Sequence, residues 1–405
     1  MNAEEASLLW NRKDDVEQAG GHAAHRQLAL KHLKLKTVIK ESHCSPVHHL
    51  VFNYTDEGMQ NLFATVGKEQ ATIYDDLHMG DFIAVVVNFT NQKTEYADGG
   101  ELHTCTWLSG QHSTPHPHGD ALLAVAGADH NISLISCVEA RVIALLQGHI
   151  KDVVDLSACS SKPGLLVSLS KDGNARVWDV TQELCISSYN TDASCLAVSP
   201  DGAFFVTGSK KGALHSYQIA APQQQQQQLV PSSRDTNLQT TLGSVERKQL
   251  SMECSSSGRH TETIDCMQFL SQNRLATKSV DGRMCVWDLA ARKQLSSWKV
   301  PSCNVGGGWA SRCRFGCTPD GAYICVGNTT GDVYVYDTSD GKRMTHVAPI
   351  KVSAPVRACG LSPDCRHLLA VIGNGFIFRF EYRKPDAEVS NKENSDTNMI
   401  ESDNE

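Results

Sequence analysis

Short apolar or alternating runs recur along the chain, each closed by turn-forming residues. The clearest set is Val153 to Leu156, Leu165 to Leu169, Ala175 to Val180 and Cys185 to Ser188. Runs this short, rich in β-branched residues and bounded by Gly, Pro, Asp and Asn, predict strands rather than helices. Similar groups lie at Val47 to Asp75, Phe82 to Ile135, Cys195 to Ile219, Thr263 to Val300, Arg312 to His346 and Val356 to Phe380. The breaks between strands have a chemical reason. In Ser199-Pro200-Asp201-Gly202 the proline fixes φ, the aspartate can bond nearby backbone, and the glycine permits a left-handed position. Pro319-Asp320-Gly321 and Ser362-Pro363-Asp364 repeat the device. The second group contains two polar excursions, Asn88 to Gly100 and Gly110 to Gly119. The latter holds His112, His116 and His118 and reads as an irregular surface loop rather than a ligand cluster.

The third strand of each group ends alike. Gly148-His149, Lys171-Asp172-Gly173 and Trp178-Asp179 form one full unit, and His260, Asp281-Gly282 and Trp287-Asp288 form another. Degraded endings fall at Tyr74-Asp75, Ile135, Tyr217-Gln218, Tyr336-Asp337 and Phe380. Seven endings predict an all-β fold, a seven-bladed WD40 β-propeller. Leu33 to Ile39 alternates and precedes the first group, so it is expected to supply the outer strand of the last blade and close the ring.

The polar residues of the two full units have a structural reading. The Asp172 carboxylate is placed to accept from the His149 ring, which holds Ser168 or Ser170, and the serine reaches the indole of Trp178. His260, Thr277 or Ser279, Asp281 and Trp287 repeat the arrangement. Such networks satisfy buried polar groups. Because the set recurs, it is read as a blade fastener and not as a Ser-His-Asp catalytic triad.

Domain boundaries follow from where the alternation stops. Residues 1–31 are charged and polar and are expected to be disordered; the propeller is placed at 32–383; the acidic tail 384–405 is expected to be disordered. The polar stretch at about 220–258, with its glutamine tract Gln223 to Gln228, is expected to be a disordered loop between blades four and five. Lys392-Glu393-Asn394 matches a short degradation signal, but three residues carry little information.

The formal charge of -8 argues against a broad phosphate-neutralising surface, so no direct sequence-specific DNA binding is expected. There is no 18-residue apolar run, and no membrane association is expected. Fifteen cysteines, many in predicted strands such as Cys105, Cys285, Cys325 and Cys359, suggest a reducing compartment with buried thiols. The sequons at Asn88 and Asn131 then carry no weight. Cys313 and Cys317 have no matching Cys or His pair nearby, and neither a metal nor a cofactor is expected. There is no phosphate-binding Gly-rich loop and no nucleophile elbow, which excludes the common enzyme classes; Gly306-Gly307-Gly308 reads as a turn.

The blade contents also resemble the extra sex combs / embryonic ectoderm development family of Polycomb WD-repeat proteins, over roughly Leu33 to Tyr382. The resemblance is carried by Phe52-Asn53, Phe63-Ala64-Thr65-Val66-Gly67, Ile73-Tyr74, Thr104-Cys105-Thr106-Trp107 and Leu122-Leu123-Ala124-Val125-Ala126-Gly127. It continues through Gly148-His149, Leu166 to Asp172, Ile264-Asp265-Cys266 and Lys278-Ser279. It implies a nuclear, non-catalytic scaffold of a histone H3 lysine methyltransferase complex. The implied partners are the catalytic methyltransferase subunit, other Polycomb subunits and a methylated histone H3 tail. In that family an aromatic cage on one propeller face holds trimethyl-lysine by cation–π attraction. Carried onto this chain, the cage falls on Phe63, His103, Arg312 and the neighbouring Trp309, a partly degenerate set. Two other readings of the propeller are an origin-associated chromatin WD protein and a cytoplasmic WD40 adaptor.

Overall fold

The chain folds into seven four-stranded antiparallel sheets, each a meander except the one that closes the ring. The computed structural model describes residues 20–55, 57–79, 82–93, 99–108, 120–219, 248–250, 259–303, 313–349 and 352–384. A helix, α1 (His22–Lys31), leads into β1 (Leu33–Lys40). Blade one is β2 (His49–Phe52), β3 (Leu62–Gly67), β4 (Gln70–His78) and β5 (Phe82–Thr90). Blade two is β6 (Leu102–Leu108), β7 (Leu122–Gly127), β8 (Ile132–Ser136) and β9 (Arg141–Leu146). Blade three is β10 (Val153–Ala158), β11 (Leu165–Ser170), β12 (Asn174–Asp179) and β13 (Leu184–Asn190). Blade four is β14 (Ala193–Val198), β15 (Phe204–Ser209), β16 (Leu214–Gln218) and β17 (Lys248–Gln249). Blade five is β18 (Ile264–Phe269), β19 (Arg274–Ser279), β20 (Arg283–Asp288) and β21 (Lys293–Lys299). Blade six is β22 (Gly316–Cys317), β23 (Tyr323–Gly327), β24 (Val333–Asp337) and β25 (Arg343–Val347). Blade seven is β26 (Val356–Leu361), β27 (His367–Ile372) and β28 (Phe376–Tyr382), with β1 as its fourth strand.

Position in the blade explains the hydrophobic pattern. A second strand such as β7, Leu-Leu-Ala-Val-Ala-Gly, is buried on both faces because neighbouring blades cover it. An outer strand such as β21 alternates exposed and half-buried positions. The core is therefore a ring of slabs between blades. One slab joins Val66, Ile73 and Leu123 of blades one and two; another joins Phe63, Leu369 and Ile377 of blades one and seven.

The closure expected from Leu33 to Ile39 is present. β1 pairs antiparallel with β28, from Leu33 opposite Tyr382 to Lys40 opposite Phe376. A buried polar network locks blade seven to blade one. Asp76 of blade one accepts from His367 Nδ1 at 2.5 Å, and Arg379 donates to the Asp76 carbonyl at 3.1 Å.

Three expectations are corrected. Residues 22–31 are helical, not disordered: His25, Ala29 and Leu30 form one buried face, and Leu30 packs into the core shared by the last three blades. Docking, not capping, holds this helix, since Gly21 gives it no side-chain cap. Phe82–Thr90 is the outer strand of blade one rather than the start of blade two. Within the polar stretch, Lys248–Gln249 pairs with His215 and Ser216 and completes blade four. The remainder of 220–258, the histidine-bearing insert at 110–119 and the tail from 385 lie outside the described residues.

Candidate functional site at the channel mouth

The innermost strands share an irregularity that builds a site. In β6, β10, β14, β18 and β26 the register slips between the first and third residues, at Leu102/Thr104, Val153/Asp155, Ala193/Cys195, Ile264/Cys266 and Val356/Ala358. The bulged residues are therefore His103, Val154, Ser194, Asp265 and Arg357. A bulge re-aims one side chain out of the ladder. All five, with His48, Cys313 and Arg314, line one small cavity of about 50 Å³. That is room for a few waters or an ion, not for a bulky side chain.

Blades one and two bring the titratable groups together. His48 and His103 meet edge to face, with ring centroids 5.8 Å apart. His48 Nε2 lies 2.7 Å from Glu101 Oε1. The His103 Nε2 is buried with no hydrogen-bond partner, and Asp152 Oδ2 lies 3.8 Å from it. Asp152 in turn is held by Lys171 at 2.7 Å. Burial lowers the pKa of His103, against the opposing pull of Glu101, so the neutral imidazole is favoured.

Two glycines permit this approach. A Cβ on Gly127, the last residue of β7, would lie 1.9 Å from the Glu101 carbonyl oxygen. A Cβ on Gly67, the last residue of β3, would lie 2.6 Å from the Pro46 carbonyl oxygen and 2.9 Å from Val47 Cα. The segments that carry Glu101 and His48 thus rest directly on glycine backbone.

Beneath the mouth the channel is crossed by charge. Arg314 of blade six donates to Asp155 Oδ1 at 2.7 Å and to the Val154 carbonyl at 3.1 Å, both on blade three. Asp155 also accepts from the amide of Leu196 in blade four at 3.0 Å. Fully buried Lys278 pairs with Asp265 at 2.9 Å; burial opposes its charge most strongly, but the Asp265 carboxylate together with the neighbouring cysteines outweighs it and the pKa is raised. His49 accepts the amide of Cys105 at 3.2 Å, and burial, then Arg314, keeps its pKa well below the usual histidine range.

The two fasteners are formed. His149 Nδ1 lies 2.8 Å from Asp172 Oδ2, its Nε2 lies 2.7 Å from Ser168 Oγ, and Trp178 Nε1 donates to the same Oγ at 2.8 Å. Ser170 sits beside this chain, donating to the Lys151 carbonyl and accepting from the Asp172 amide. In blade five His260 Nε2 and Trp287 Nε1 each reach Thr277 Oγ1 at 2.7 Å. There Ser279 stands between His260 and Asp281, donating to Asp281 at 2.5 Å. Both sets are spent on holding strands together.

Of the residues expected to form an aromatic cage, the two that are described, Phe63 and His103, are not brought together. Phe63 is completely buried, stacked on Tyr74 at 4.9 Å and against Phe52 at 5.7 Å. It pairs with Phe52, three residues along β2 from His49. At a rise of about 3.3 Å per residue this places it about 10 Å from the mouth. Phe63 is a core residue and cannot wall an open cage. His103 does line the mouth. Trp309 and Arg312 lie outside the described residues. The residues missed were His48 and Glu101. A signal was available: Val47-His48-His49-Leu50-Val51-Phe52 and Leu102-His103-Thr104-Cys105-Thr106-Trp107 each carry histidine as the second residue of the run that enters or forms the inner strand.

A model of the WD domain, G-beta repeat, matches residues 140–179 and 183–217. Seven blades and these repeats define a WD-repeat β-propeller. Over most of its length the chain is similar to Polycomb proteins, among them the following three. Polycomb group protein FIE2 of Zea mays is 22% identical over 394 residues, covering 94% of each chain. Polycomb group protein FIE1 of Oryza sativa subsp. japonica is 22% identical over 353 residues, 83% of this chain and 88% of the relative. Polycomb protein esc of Drosophila melanogaster is 24% identical over 374 residues, 87% and 84% respectively. The chain is a relative of the extra sex combs / embryonic ectoderm development family of Polycomb WD-repeat proteins.

Proposed function

We propose that the protein is the non-catalytic propeller subunit of a nuclear Polycomb-like complex that methylates histone H3 lysine, and that it holds the catalytic methyltransferase subunit and other Polycomb subunits. The observation that carries this reading is the extent of the similarity, which covers 83–94% of the chain in the relatives named Polycomb group proteins and is not confined to the matched repeats. Two features of the molecule support it. The Ser, His and Asp groups of blades three and five are buried in strand-to-strand bonds, which leaves them no substrate-facing role. The ring is also closed by both a strand and a buried polar network, the rigidity that a scaffold requires.

Binding of a trimethylated H3 tail would rest on His103, with Trp309 and Arg312, and without Phe63. Imidazole walls beside a guanidinium attract a quaternary ammonium weakly, so the scaffold role is proposed as the principal one.

The test is purification of the tagged protein from its own cells with identification of stable partners by mass spectrometry. Recovery of a histone methyltransferase in near-stoichiometric amount supports the proposal. Recovery of replication-origin proteins or ubiquitin-ligase subunits without a methyltransferase overturns it and returns the chromatin-origin or cytoplasmic adaptor reading.

A further inference from the structure

We propose that His48, Glu101 and His103 form a binding site for one divalent transition-metal ion, Zn²⁺ by their chemistry, at the mouth of the propeller channel. One ligand atom from each residue lies within 4.8 Å of the other two. Two imidazoles and a carboxylate are a common zinc donor set, with Zn–N near 2.0–2.1 Å and Zn–O near 2.0–2.2 Å. A tetrahedral ion with such bonds holds its ligands about 3.3 Å apart, so closing the trio around an ion takes movements of an ångström or so. Glu101, the most exposed of the three side chains, is placed to make them.

The bland account of the cluster is a surface His–Glu ion pair with a histidine beside it. It explains the 2.7 Å contact of His48 with Glu101. It does not explain why His103 buries a ring nitrogen without a hydrogen-bond partner next to them. Leaving a buried polar atom unsatisfied is unfavourable, and ligation of a metal ion removes that cost. The local charge is also suitable. Asp152 is paired with Lys171, Asp155 with Arg314 and Asp265 with Lys278, so Glu101, which contacts His48 within the trio, is the carboxylate that faces an incoming cation and offsets Arg357 on the cavity wall. Gly67 and Gly127 fix the backbone on either side, so the ligands come from well-held positions of two neighbouring blades. Three protein ligands leave a fourth position for water. The site does not depend on the Polycomb reading, and neither Cys313 nor Cys317 belongs to the trio.

The experiment is titration of the full-length, chelator-treated protein with Co²⁺, followed by displacement with Zn²⁺ and by calorimetry with Zn²⁺ alone. The expected result is one saturable site with a tetrahedral cobalt spectrum that lacks a thiolate charge-transfer band. His103→Asn and Glu101→Gln should each weaken binding by at least about 100-fold, the upper end of what loss of an outer-shell partner alone costs. Glu101→Gln alters a half-exposed side chain, so it reads ligation even where His103→Asn perturbs folding. Thermal melts of each variant accompany the titrations. Absence of saturable binding, a thiolate band, or unchanged affinity in the folded Glu101→Gln variant overturns the proposal.

Discussion

Arg314 and Asp155 join blades six and three across the propeller axis, with 2.7 Å between Nη1 and Oδ1. The Asp155 carboxylate is almost buried, and its second oxygen already accepts the Leu196 amide. Removing the guanidinium therefore strands a negative charge in the channel. Breaking such a pair from one side costs roughly 3 kcal/mol or more, whereas replacing both partners costs less. Arg314→Met should lower unfolding stability by about that amount in urea titrations, and the double variant with Asp155→Asn should recover part of the loss. Equal loss in the single and double variants would contradict the pairing.

The blade-three fastener makes a sharper prediction. Ser168 Oγ serves both His149 Nε2 and Trp178 Nε1, so Ser168→Ala leaves two buried nitrogens unsatisfied. At about 1–3 kcal/mol for each such group, the variant should lose roughly 2–6 kcal/mol. Ser168→Thr should cost much less, because Thr277 performs the same task in blade five. Denaturant midpoints of the two variants check the contrast.

Blade five predicts an acid-sensitive fold. Burial lowers the pKa of His260 from 6.5 to about 4. Above pH 6.5 both folded and unfolded chains carry it neutral. Between pH 6.5 and about 4 the unfolded chain takes up a proton that the fold refuses, so stability falls as pH falls. The loss is complete below the folded pKa and amounts to roughly 3 kcal/mol at most. Carboxylates such as Asp320, held down to about 2 mainly by Arg26 against the effect of burial, steepen the decline at lower pH. Comparing the pH dependence of unfolding for His260→Asn and the parent isolates the histidine, and an unchanged slope would refute its role.

Gly127 is where fold and channel mouth meet. An alanine there would drive its methyl into the Glu101 carbonyl, 1.9 Å away, and the obstacle is backbone. Gly127→Ala should destabilise the protein by about 1–3 kcal/mol or more, as overpacking does. It should also displace Glu101, so any Co²⁺ affinity of the mouth should fall with it. A spectrum and stability matching the parent would show that the approach is looser than this geometry requires.

The blades were legible because turn chemistry and the Trp178, Trp287 and tyrosine endings mark the third strands, whose apolar residues are buried. Outer strands were harder. β17 lies in a polar stretch because an edge two residues long needs no apolar face, while apolar β5 read as an inner strand although Phe82 and Val85 are exposed. The channel mouth was half legible. His103 could be placed, but Phe63 could not be separated from it without the third dimension. A bulge sends one residue out of the ladder and its neighbours into the core, and at β6 the sequence marks that slip only by the histidine at 103. Helix α1 escaped because its buried face is short and tertiary docking supplies its stability.

That docking leads to a prediction about the N-terminal segment. α1 is tied to blade six by Arg26, which bonds Asp320 at 2.5 and 3.1 Å and lies 5.2 Å over the Tyr323 ring. Much of this contact is solvent-exposed, so Arg26→Ala should cost no more than about 1 kcal/mol. β1 is different, because it covers the whole of β28 from Phe376 to Tyr382. A chain starting at His32 should fold with a modestly lower melting temperature. A chain starting at Glu41 should expose β28 as an unpaired edge beside half-exposed Phe376, and should aggregate. Light scattering and circular dichroism on the two truncations measure the difference. If the shorter chain remains monomeric with a cooperative melt, the closing strand is not what holds the ring shut.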